Sequence, residues 1–225
     1  IRLVGGGYMK REARIQLFQQ VDVYPVTCEE LSGGRSNLEV LEAVDQGGSQ
    51  IIQLRDKDYS KRDLYNLALK FREITARACV LLMINEHVDV ALGVEADGVH
   101  LGQDDLPLPV ARQLAPELLI GASTHSLKQA LQAEKDGADY INIGPIFSTQ
   151  TKEGVGRSLG PEAISEISPQ IKVPFTVMGG INEGNIDQVL AEGARRVAMV
   201  TAITRAADIS SRVRLLKERI IRAWK

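Results

Sequence analysis

The sequence predicts a single (β/α)8 barrel, the TIM-barrel class. Eight short apolar runs, rich in β-branched residues, alternate with longer amphipathic stretches along 225 residues. A phrase made of a helix end, a Gly or Ala turn and a strand nearly recurs in GVEADGVH (93–100), EKDGADYIN (134–142) and AEGARRVAM (191–199). Repeated αβ units read this way. The runner-up, an open doubly wound sheet, normally shows a GxGxxG after an early strand, and none is present.

Residues 1–20 read as an N-terminal extension with a short helix, and 21–225 as the barrel domain. Met9 is a candidate natural start, which would make residues 1–8 foreign to the natural chain. The strand runs are VDVYPVT (21–27), SQIIQLR (49–55), VLLMIN (80–85), DGVHL (97–101), LLIGAS (118–123), DYINIG (139–144), VPFTVMG (173–179) and RRVAMVT (195–201). Each has the length and composition of a buried strand. Between them, residues 60–78 place Leu64, Leu67, Ala68 and Phe71 on one helical face. Ser60 is the candidate N-cap there, with Asp63 three residues on. Residues 126–136 stop at Gly137 and residues 182–193 at Gly193, both helix-stop signals. Residues 204–224 read as a charged helix. No linker or low-complexity stretch divides the chain, so one domain is expected.

Hydrophobic residues make up 44% of the chain but aromatics only 4%, so the core must be Val, Ile, Leu and Ala. That filling suits a parallel sheet buried on both faces. With a net charge of −2, nothing suggests a general nucleic-acid binder. Any functional cations must be concentrated locally. No apolar run approaches the roughly 20 residues of a membrane span, and the start lacks the apolar core of a signal peptide. A cytoplasmic protein without membrane or nucleic-acid partners is expected, with a homo-oligomer left open. Cys28 and Cys79 have no CxxC spacing. They read as two reduced thiols.

In such barrels chemistry sits where strands end and βα loops begin. The second run ends in Gln53, Leu54, Arg55, Asp56 and Lys57; the third in Asn85 and Glu86. The fourth leads into Gln103, Asp104 and Asp105, and the fifth into Ser123, Thr124 and His125. The sixth opens a long Gly-containing loop with Thr149, Gln150, Thr151 and Lys152. The seventh ends in Gly179, Gly180 and Asn182, and the eighth in Val200 and Thr201. Strand alternation puts Arg55 and Lys57 on one face, suited to one anion, although both could be ordinary solvated charges. Glu86 and Asp105 could be acids at helix N-termini. Together they could hold magnesium, which accepts one or two carboxylates plus phosphate oxygens and water. Gly179 and Gly180 could be a plain turn, but with Thr201 they occupy the place where barrels cradle phosphate on backbone N–H groups. His125 could be a satisfied buried histidine, His100 reads as structural, and His87 opens a helix. Two separable phosphate sites suggest two phosphorylated substrates being joined.

QLRDK, ADGVHLGQDD, GASTH, GPIFSTQTK and GGIN, in this order, resemble the thiamine phosphate synthase family. The resemblance runs from about Tyr24 to Ala206. It implies that hydroxymethylpyrimidine pyrophosphate is joined to hydroxyethylthiazole phosphate through a carbocation-like pyrimidine. The resemblance further implies that Arg55, Lys57, Asn85 and Lys152 bind the pyrophosphate. Gln53 lies near the pyrimidine, and Ser123 lies beside the reacting group. Glu86 and Asp105 hold Mg2+. Thr149, Thr151, Gly180, Val200 and Thr201 grip the thiazole phosphate. Leu54, Asp56 and Gln150 belong to the same substrate-binding motifs. Two positions depart from the family pattern: Glu86 stands where aspartate is common, and Ser148 where proline is also common. The rival readings are a thiazole tautomerase, for which His125 would carry the proton, and a non-catalytic barrel that binds thiazole phosphate. Residues 56–62 and 145–158 are the candidate closing loops.

Overall fold

A computed structural model describes residues 9–149 and 158–224. In chain order the elements are α1 (Arg11–Gln19), β1 (Val23–Pro25), α2 (Asn37–Gln46), β2 (Ile51–Leu54), α3 (Lys61–Ala78), β3 (Leu81–Asn85), α4 (Val88–Gly93) and β4 (Gly98–Leu101). They continue as α5 (Leu108–Leu114), β5 (Leu119–Thr124), α6 (Leu127–Lys135), β6 (Tyr140–Ile143), α7 (Glu162–Ile167), β7 (Phe175–Val177), α8 (Ile186–Ala191), β8 (Val197–Met199), α9 (Thr201–Thr204) and α10 (Ile209–Ala223). The eight strands are parallel, in the order β1-β8-β7-β6-β5-β4-β3-β2. A parallel bridge between Val26 and Gln53 brings the two ends of that order together. The expected (β/α)8 barrel is the fold. All eight expected strands are present, and β5 alone passes its expected range, by one residue to Thr124.

Local chemistry sets the element ends. Ser60 accepts the Asp63 N–H at 3.2 Å, so the expected cap of α3 forms. Gly137 and Gly193 follow α6 and α8 with φ of +93° at each, a backbone that glycine adopts at no steric cost. One expectation changes at the C-terminus. The helix read at 204–224 begins only at Ile209, where Asp208 caps α10 by accepting the Ser211 N–H at 2.9 Å; Thr204 is the last residue of the separate α9.

Strand alternation sorts the core into two layers. Ile52, Leu54, Leu82, Ile84, Ile120, Ile141 and Ile143 face the helices and build the larger cluster. Ile51, Leu81, Met83, Leu119, Tyr140 and Tyr24 point into the barrel. Phe18 of α1 joins that inner layer and stacks on Tyr140 with ring centroids 4.1 Å apart. Helix α1 therefore caps the N-terminal end of the barrel. A Cβ on Gly121 would lie 2.1 Å from the Tyr140 ring, so only glycine lets that ring cross the interior. Both cysteines are free thiols, Cys28 buried and Cys79 exposed. Among the described residues no helix is long and apolar enough to cross a membrane.

Candidate active site

The same alternation that aims Ile51 and Leu81 inward at the bottom aims polar residues inward higher up. Gln53, Asn85, His100, Ser123, Asn142 and Thr176 all line one cavity of about 240 Å³ at the C-terminal ends of the strands. Val26, Met178, Ala198 and Met199 supply apolar wall between them.

Strand order divides the cavity. Arg55, Lys57, Asn85, Glu86 and Asp105 follow β2, β3 and β4, which are neighbours. Thr149, Gly179, Gly180, Val200 and Thr201 follow β6, β7 and β8. Ser123 on β5 and Tyr24 on β1 lie at the two boundaries between these halves.

On the first side, Arg55 and Lys57 reach the cavity from the loop after β2. The strand itself ends at Leu54, so strand alternation does not account for their shared direction. Among the described residues their side chains make no hydrogen bond or ion pair. Asp105 accepts the Gly102 N–H at 2.6 Å through one oxygen, which leaves the other oxygen without a hydrogen bond among the described residues. Glu86 accepts from Asn85 Nδ2 at 2.9 Å. Its φ of +53° is left-handed, a region where Asn and Asp are commoner than a long side chain. The position therefore suits the shorter carboxylate better than the one it carries. The donor set is oxygen only. Among the described residues no three of His, Cys, Asp and Glu cluster to cage a metal. Two carboxylates facing an open cavity fit an ion that keeps waters and substrate oxygens in its shell.

On the second side, Gly179 and Gly180 have φ of +108° and +62°. A Cβ on Gly180 would come within 2.4 Å of the Ser148 carbonyl, so the turn requires glycine and leaves its N–H groups uncovered by side chain. Val200 precedes the short helix α9, and Thr201 begins it. Loops after strands seven and eight with a short extra helix form the usual barrel phosphate cradle.

The structure does not bring two of the expected residues to the cavity. Leu54 is buried among the helices. Asp56 accepts from the Glu29 N–H at 3.2 Å and Asn37 Nδ2 at 2.9 Å, holding the loop rather than facing the cavity. Gln150, Thr151 and Lys152 lie outside the described residues. The sequence pattern does not single out Tyr24, Asn142 or Thr176, and it makes His100 look structural. All four line the cavity. Thr176 Oγ1 donates to Asn142 Oδ1 at 2.9 Å, which fixes the amide. His125 is half-buried, and its Nδ1 lies 2.5 Å from the Gly144 carbonyl. Burial pushes the Tyr24 and Tyr140 hydroxyls well above their ordinary range.

The fold is a TIM barrel whose polar residues gather in one cavity at the C-terminal strand ends, the end where enzymes of this class carry their chemistry. The family described as thiamine monophosphate synthase matches residues 23–203. A thiamine-phosphate synthase from Pelotomaculum thermopropionicum is 45% identical over 95% of this chain and 99% of its own. Another, from Chloroflexus aurantiacus, is 44% identical over 87% of this chain and 90% of its own. A solved thiamine phosphate pyrophosphorylase from Pyrococcus furiosus superposes with a TM-score of 0.84 at 35% identity, covering 91% of this chain and 98% of its own. The chain belongs to the thiamine monophosphate synthase family, and is a transferase of thiamine biosynthesis.

Proposed function

We propose that the cavity binds hydroxymethylpyrimidine pyrophosphate on its β2–β4 side and hydroxyethylthiazole phosphate on its β6–β8 side, and couples them. One observation carries this reading. Arg55 and Lys57, two cations without protein partners among the described residues, share the cavity with two carboxylates and a separate glycine cradle. Cations left unpaired in a cleft are suited to an anion that arrives with the substrate.

The reaction breaks the C–O bond between the pyrimidine methylene and the pyrophosphate. Both electrons leave with the pyrophosphate, and the thiazole nitrogen lone pair forms the new C–N bond. Arg55, Lys57 and Asn85, with Lys152, bind the departing group and stabilise its growing charge, which is where most of the rate enhancement in such a step arises. Gln53 and Ser123 orient the pyrimidine. Thr149, Gln150, Thr151, Gly180, Val200 and Thr201 hold the thiazole phosphate in line. Glu86 and Asp105 would hold Mg2+, which supplies further positive charge to the leaving pyrophosphate. The apolar wall of Val26, Met178 and Met199 keeps water from the cation.

A coupling assay tests this. The protein is incubated with both substrates and magnesium, and thiamine phosphate is measured. Formation with release of one pyrophosphate per product supports the reading. Isomerisation of the thiazole carboxylate phosphate without coupling would establish the tautomerase instead. Addition of EDTA should abolish coupling, and full activity without metal would rule out the magnesium role.

A further inference from the structure

The cavity floor carries a hydrogen-bond chain through five side chains. Gln53 Nε2 donates to the Tyr24 hydroxyl at 3.1 Å, and the Tyr24 and Tyr140 hydroxyls lie 3.0 Å apart. The Tyr140 hydroxyl lies 2.9 Å from His100 Nδ1, and His100 Nε2 lies 2.9 Å from Ser123 Oγ.

Its direction follows from which atoms can donate. An amide nitrogen only donates. Both phenols are buried, so each hydroxyl proton must find an acceptor. Tyr24 accepts from Gln53, so its own proton goes to Tyr140. The Tyr140 proton then goes to His100 Nδ1. That nitrogen is therefore an acceptor, and the single ring proton sits on Nε2, facing Ser123. The reverse direction leaves the Tyr24 proton without an acceptor among these side chains. His125 provides an internal contrast. A carbonyl oxygen only accepts, so the Gly144 carbonyl at 2.5 Å holds the His125 proton on Nδ1.

We infer that His100 is a positioning residue whose Nε2–H occupies Ser123 Oγ, so that Ser123 turns its own proton into the cavity as a hydrogen-bond donor to the ligand. Ser123 is then neither a nucleophile nor a base. Its backbone is fixed from the other side, where Gln103 Nε2 donates to the Ser123 carbonyl at 2.5 Å. The recognised atom is an acceptor, either a ring nitrogen or a phosphate oxygen. That it belongs to the pyrimidine substrate rests on the function proposed above; the direction of the chain does not.

The first test needs no substrate. Long-range proton–nitrogen NMR spectra of the protein labelled with 15N-histidine should show His100 as the Nε2–H tautomer and His125 as the Nδ1–H tautomer. An Nδ1–H tautomer at His100 would overturn the inference. Gln53→Glu offers only acceptors to Tyr24, so it should reverse the chain and move the His100 proton to Nδ1. An unchanged tautomer in that variant would also overturn it.

The second test reads coupling. His100→Leu should lower kcat about tenfold, the scale of one well-placed hydrogen bond, while KM for the thiazole phosphate stays put. His100→Gln, which keeps a donor, should recover most of that loss. Adding His100→Leu to Ser123→Ala should cost nothing further, because the histidine acts through the serine. Additive losses would mean a separate structural role. Ser123→Ala should weaken binding of free hydroxymethylpyrimidine if the acceptor is a ring nitrogen, or of pyrophosphate if it is a phosphate oxygen. Loss of neither would contradict a donor role. Failure of the coupling assay with the expected tautomers would overturn the assigned reaction and leave the chain intact.

Discussion

At the N-terminal end of the barrel, Asp97 lies 2.8 Å from Arg72 and Asp139 lies 2.5 Å from Arg112. At the C-terminal end, Arg55 and Lys57 face a cavity without a protein partner among the described residues. The same residue types are closed into pairs at one end and left open at the other. Asp97 and Asp139 also accept the Leu82 and Ile120 N–H groups at 2.9 and 2.8 Å, which ties each acid to the neighbouring strand. Arg11 and Arg14 of α1 come down on these same acids. Burial lowers the Arg14 pKa, with Asp97 opposing that shift. The lower end thus uses its charges to hold strands and α1 together. The upper end leaves its cations facing the cavity, as expected of the two faces of such barrels.

Substitutions at each end should separate stability from turnover. The largest effect is expected from Asp97→Ala, which takes the carboxylate partner from buried Arg14 and half-buried Arg72 and should cost about 3–5 kcal/mol in denaturant unfolding. Turnover per folded molecule should be nearly unchanged. Arg55→Ala should do the opposite. It should lower kcat by about 10²–10³-fold, the scale of losing a charge that stabilises a transition state, and leave the melting temperature within a degree or two. Comparable stability loss in both variants would erase the contrast. At the acid proposed to hold magnesium, Glu86→Asp relaxes a left-handed backbone and shortens the carboxylate. The magnesium concentration for half-maximal activity should fall, by about tenfold at most; a rise would show that Glu86 reaches the ion better than aspartate.

The smallest effect concerns the floor between the two ends. Folding raises the Tyr24 and Tyr140 pKa values above 10.0. Above pH 10 the unfolded chain therefore loses phenol protons that the folded chain keeps, and stability falls as pH rises. The slope should approach about 1.4 kcal/mol per pH unit for each tyrosine. Of the five tyrosines, these two should show phenolate absorbance only as the protein unfolds. Early titration of all five would contradict a sealed floor.

The strands are legible in the sequence because β-branched apolar runs have one reading between helical patterns. The start of the C-terminal helix is not, since Asp208 in a charged stretch looks like any exposed acid until its cap forms. In the site, Glu86, Asp105, Ser123 and Gly180 can be placed from strand ends alone. Tyr24 and His100 cannot, because an aromatic or histidine inside a strand reads as core. The phase of alternation is the available signal: counting from outward Val99 and Leu101 puts His100 inside. Nothing local links Tyr24 to Tyr140, which are 116 residues apart and meet only when the barrel closes. Arg55 and Lys57 are legible for a reason that does not hold, since loop geometry after Leu54, not strand pleat, aims them.

The most direct test of the open end is pyrophosphate binding by calorimetry, with magnesium and without substrates. One pyrophosphate should bind per chain, and Arg55→Ala and Lys57→Ala should each weaken it at least about tenfold, consistent with loss of a charge-assisted contact. Binding of equal strength in both variants would contradict the assignment of these cations to the departing pyrophosphate.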